Sequence, residues 1–186
     1  MKLFEILKSR RSIFPNQFTS QNLSKDQILQ LLEAANWAPS HRKTNPWRFK
    51  IFKGESLALL ADKITAAYTR TTPEKNFSAF KLKKSVEKVM SSGAVVAICM
   101  QRDLKERVPE WEEIAATAMA VQNMWLMTGQ MGLGGYWSSP GYISDMQEEL
   151  QLAEGERCLG FFYLGPYQDE VPQGDREPIE DKITWF

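Results

Sequence analysis

The sequence predicts an α+β fold in which a mixed β-sheet is flanked by helices. Three observations carry the prediction. Helical and strand-like periodicities alternate irregularly: two helices, strand, helix, helix, strand, long helix, strand, helix, strand, tail. Two uninterrupted apolar runs, residues 94–100 and 158–164, read as buried strands. The glycine cluster at 132–135 follows a helix and precedes a strand, so the strand, Gly-rich turn, helix order of a dinucleotide fold or a P-loop is missing.

In chain order, residues 2–9 form a short helix with Leu3, Ile6 and Leu7 on one face. Ser24 followed by Gln27 is a capping box that opens a second helix, whose stripe is Ile28, Leu31, Leu32 and Ala35. A polar loop at 39–46 leads into a strand at 47–52. A helix at 56–68 precedes a Lys-rich stretch at 69–92, read as a mobile excursion that carries a helix at 79–91 and forms a lid over a site. Pro109 opens a long helix at about 110–131, apolar nearly all round. A short strand at 136–138, a helix at 144–151 and the strand at 158–164 complete the order. Past Gly165-Pro166 an extended polar tail ends in Trp185 and Phe186. The length suits one domain, 1–186.

Lys plus Arg equals Asp plus Glu at 23 each, a balance that argues against nucleic-acid binding, which needs a basic field. The apolar stretch from 114 to 133 is broken by Gln122, Asn123, Thr128 and Gln130, so it reads as a buried helix rather than a membrane span. No secretory signal is visible, and Cys99 and Cys158 read as buried thiols of a cytoplasmic protein. With His41 the single histidine, a metal centre is not expected.

Four segments could carry chemistry. Arg10-Arg11-Ser12 is either an ordinary basic helix end or a phosphate clamp, because guanidinium forks match phosphate oxygens. The loop of His41, Lys43 and Asn45 between Pro39 and Pro46 is dense in hydrogen-bond donors. The run from Gly132 to Gly141 is either a helix cap with a tight turn or bare backbone against a flat ligand, walled by Trp137. Arg176 is either a surface ion pair or a late phosphate contact.

Together these segments, with Ala38-Pro39-Ser40, Asn45-Pro46-Trp47-x-Phe49, Trp111-Glu112, and Gly160-Phe161 leading to Leu164-Gly165, resemble the nitroreductase family, most of all its compact branch. The resemblance implies an intertwined homodimer with C-terminal tail exchange and two FMN sites at the interface. It implies that Arg10, Arg11 and Ser12 hold the FMN phosphate and ribityl chain and that His41 binds the cofactor from its loop. Trp137, Ser138 and Ser139 would lie along the isoalloxazine or phosphate edge, with Asn45 and Arg176 as further contacts. Ser138 stands where compact members can carry Arg, leaving Arg176 to supply that cation; Trp37 stands where some carry Arg. The implied activity is hydride transfer from NAD(P)H through FMN to a nitro-aromatic, quinone or other electron-poor small molecule, in ping-pong order. No general acid or base is assigned. The alternative from another class is a flavin-binding redox sensor or store without turnover.

Overall fold

The computed structural model describes residues 2–20, 22–170 and 173–186; within the expected tail, Val171 and Pro172 lie outside the described residues. The helices are α1 (Leu3–Ser9), α2 (Lys25–Asn36), α3 (Ser56–Thr71), α4 (Ala79–Met90) and α5 (Glu110–Gln130). The strands are β1 (Trp47–Lys53), β2 (Ala94–Gln101), β3 (Leu133–Ser138) and β4 (Glu156–Pro166), ordered β1-β2-β4-β3. The expected capping box forms: the Ser24 hydroxyl accepts from Gln27 N–H at 3.1 Å, and Gln27 Oε1 accepts from Ser24 N–H at 2.9 Å.

Strand β2 runs through the middle of the protein and is buried on both faces, which explains its continuous apolar sequence. Its alternate residues feed two cores. Val95, Ala97 and Cys99 pack with Phe161 and Tyr163 of β4 under α3. Val96 and Ile98 pack with Phe162 and Leu164 under α2 and α5, where Ala116, Ala120 and Met124 face the sheet. Cys99 and Cys158 are free, buried and opposite each other across β2 and β4.

Every hydrogen-bonded strand pair is antiparallel, which corrects the mixed sheet expected from the sequence. The α5 crossover does make β2 and β3 run parallel, but β4 inserts between them and pairs antiparallel with both. The helix expected at 144–151 is also absent. A 3-10 turn at Ile143–Asp145 stands there instead. Met146 and Leu150 are buried one helical turn apart, which produces the helical pattern. However, the carbonyls of Asp145 and Glu149 accept from Arg70 and Lys63 of α3, at 2.6 and 2.5 Å, and so are used outside any helix. The stretch 69–92 is largely two packed helices: α3 continues to Thr71, and α4 lays Leu82, Val86 and Val89 on the core.

Candidate active site

The Arg10–Ser12 segment is strapped between α5 and β3. The Trp125 indole N–H donates to the Arg11 carbonyl at 3.1 Å, and Ile13 N–H donates to the Gly135 carbonyl at 3.0 Å. The Arg10 guanidinium lies over the Trp125 ring, 4.6 Å from its centroid. Its Nη1 is buried without a hydrogen-bond partner. Burial lowers its pKa, and the charges of Arg176 and Arg11 lower it further. An unsatisfied buried donor costs about 1–3 kcal/mol, so three clustered guanidiniums with one orphaned N–H fit an anion.

Arg11 and Arg176 are more occupied. Arg11 Nη1 donates to the carbonyls of Lys8 and Arg10 at 2.6 and 2.7 Å, closing the end of α1 in the ordinary helix-end manner. Arg176 Nη1 donates to the Asp175 carbonyl at 2.5 Å. Both side chains line a cavity of about 550 Å³ with Lys8 and Gly174. Ser12 is exposed immediately beyond.

His41 and Asn45 lie elsewhere. His41 Nδ1 is 2.5 Å from Glu112 Oε2, at the N-terminal end of α5. Trp125, under Arg10, is thirteen residues further along that helix, a rise of roughly 20 Å. One chain therefore does not bring the His41 loop to the arginines. The loop itself is strained: Arg42, Lys43 and Asn45 have φ of 52°, 55° and 42°. Asn45 N–H donates to Ser40 Oγ at 2.9 Å, which pins the turn.

Trp137 packs against the core under α2 and α5, and its indole N–H is buried without a partner. Ser138 closes β3 opposite Phe161, and Ser139 is exposed. The glycines before them serve the fold. A Cβ on Gly134 would meet Ile13 at 2.7 Å, and one on Gly135 would meet Phe162 at 2.6 Å. Their bare backbone thus admits the chain's own side chains, not a flat ligand.

Trp125 escaped the sequence reading, since an aromatic within an apolar helix gives no sign that an arginine will stack on it. Trp37, at the position where a family Arg can stand, is exposed and donates from its indole to Glu33 at 2.9 Å.

The comparisons bear on the family and the fold. The nitroreductase family model matches residues 7–166. A Bacillus subtilis relative, YfhC, named provisionally as an NAD(P)H nitroreductase, is 31% identical over 98% of this chain and 93% of its own length. A solved nitroreductase-like family protein from Bacillus cereus is 30% identical, covers 100% of this chain and 96% of its own, and superposes with a TM-score of 0.86. The same fold recurs at 20% identity and a TM-score of 0.73 in a Desulfovibrio desulfuricans protein solved in complex with FMN, covering 100% of this chain and 97% of that one.

Proposed function

The chain belongs to the nitroreductase family, and from that premise we propose an FMN-dependent oxidoreductase that draws electrons from NAD(P)H and passes them to an electron-poor small molecule. The observation that carries the site assignment is the orphaned Arg10 Nη1 amid the charges of Arg11 and Arg176. Arg10 grips the FMN phosphate. Arg11 and Arg176 add charge, and the exposed Ser12 hydroxyl completes the grip. The unpartnered Trp137 indole N–H, Ser138 and Ser139 border the ring. Bound FMN supplies the ability to accept a hydride and release it again. The protein binds and orients the ring and keeps water from it. Donor and acceptor use one pocket in turn, in ping-pong order on nitro-aromatics, quinones or similar acceptors.

We read the 186 residues as one domain that works as a homodimer. Leu3 and Phe4 of α1, Trp111 and Met119 of α5, and Trp185 and Phe186 of the tail are exposed. Burying such side chains contributes about 1.5–3 kcal/mol each. Exchange of tails between two copies covers them, and the second copy's loop brings a His41 and an Asn45 toward the arginines. Deleting residues 179–186 is expected to yield monomers in light scattering together with weaker flavin retention. A dimer of unchanged affinity would refute the tail exchange. We place the protein in the cytoplasm, a reducing compartment that the free, facing Cys99 and Cys158 fit.

The deciding experiment is a visible spectrum of the purified protein, followed by NADH or NADPH without oxygen. The flavin band is expected to bleach and to recover when a quinone or nitro-aromatic is added. A bound flavin that stays oxidised favours a store or sensor. A colourless protein that takes up no FMN overturns both readings.

A further inference from the structure

A cavity of about 510 Å³ lies between α3, α4 and the turn that follows β3. Lys81, Lys84 and Lys88 line it, spaced three and four residues apart so that their ammonium groups share one face of α4. Tyr68, Phe80 and Tyr142 supply aromatic walls. Among the described residues Lys81 and Lys88 form no salt bridge, whereas Lys84 meets Glu87 at 2.8 Å. Lys88 is half-buried and held 5.4 Å from the centre of the Tyr136 ring, and so is pre-positioned rather than waving in solvent. Asp145 is the one carboxylate in the wall; its Oδ2 accepts from the Ser144 hydroxyl at 3.1 Å. With Lys84 offset by Glu87, the ammonium groups of Lys81 and Lys88 against the Asp145 carboxylate still leave this cavity positive in a chain of zero formal net charge.

Pro140 and Gly141 complete the wall, directly after the residues assigned to the border of the flavin ring. We propose that this cavity receives the electron acceptor and selects a planar aromatic ring bearing a carboxylate. The rings take the acceptor's face, and Lys81 and Lys88 take its anion. Its redox half rests on the function proposed above; its binding half stands alone. With a nitro-aromatic acid, NAD(P)H gives two electrons and a proton and solvent gives a second proton. One N–O bond breaks, and nitroso product, water and NAD(P)+ leave.

The test uses the FMN-saturated protein. Calorimetry compares naphthoate, which is not reduced, with the neutral naphthamide, and steady-state kinetics compares para-nitrobenzoate with para-nitrobenzamide. The acid is expected to bind about tenfold more tightly than the amide and to show a similar advantage in kcat/KM, carried by KM. In the double variant Lys81→Gln, Lys88→Gln, both ratios are expected to fall to about one while flavin content is retained. Equal binding of acid and amide to the unaltered protein would overturn the proposal. So would a variant that keeps the acid's advantage and instead slows bleaching by NADPH, which would assign the lysines to the donor's phosphates. Failure of the flavin to bleach at all would strike the redox reading, while the naphthoate comparison would still decide the cavity.

Discussion

Arg10→Ala is expected to weaken FMN retention by roughly ten- to a hundredfold, the loss of one charge-assisted contact of about 1.5–3 kcal/mol. The apo protein is expected to keep its melting temperature or gain slightly. That pairing is unusual for a half-buried side chain, and it follows from the surroundings of Arg10. Its Nη1 has no partner, burial disfavours its charge, and Arg176 and Arg11 repel it. The contact that Arg10 does make, with the Trp125 ring at 4.6 Å, offsets only part of this. A charge that the fold tolerates at a cost fits the ligand-holding role proposed for Arg10. FMN titration followed by fluorescence and a thermal melt of the apo protein decide the matter. Unchanged FMN affinity would mean that the phosphate is held elsewhere. A collapse in apo stability would make Arg10 a structural residue.

Gly160→Ala is expected to cost about 2–6 kcal/mol, a large fraction of the stability of a domain this size, by adding overpacking to backbone strain. Gly160 sits beside the β2–β4 register shift with φ of 149°. A Cβ there would lie 2.5 Å from Trp137 Nε1 and 2.6 Å from the Ser138 carbonyl oxygen. The carbonyl belongs to backbone and cannot swing away. Gly129→Ala is the control: it lies in α5 with nothing within 4 Å of the added atom, so the helix is expected to gain up to about 1 kcal/mol. Chemical denaturation of the three proteins gives the comparison. Equal midpoints for Gly160→Ala and the parent would show that Trp137 and β3 shift freely, and the placement of Trp137 at the flavin border would fall with it.

Where one interaction dominates a segment, its outcome could be read from the chain. Ser24 and Gln27 cap α2 as their spacing requires, and the unbroken apolar run of β2 matches burial on both faces. The failures come where a distant side chain decides. The pattern of Met146 and Leu150 is helical, yet Arg70 and Lys63 engage the backbone carbonyls around it. Gly134 and Gly135 looked open to a ligand, yet Ile13 and Phe162 fill that space. At the site, the sequence pointed to Arg10, Arg11 and Arg176, which the fold does gather. It could not show that the length of α5 separates them from His41, because distance along a helix becomes visible only once both ends have partners.

The insertion of β4 between β2 and β3 also bears on how the chain is made. The strand that completes the sheet is the last to leave the ribosome, and until its end at Pro166 has emerged neither β2 nor β3 has its neighbour on that side. From the completion of β2 at Gln101 until Pro166 has emerged, a nascent chain therefore carries a β1–β2 ribbon whose apolar β2 edge is unpaired, joined by α5 from Gln130 onward, the kind of exposed edge that invites self-association. Quick release and prompt closure by β4, or a chaperone that shields the ribbon until then, decides how much of the protein reaches the cell soluble.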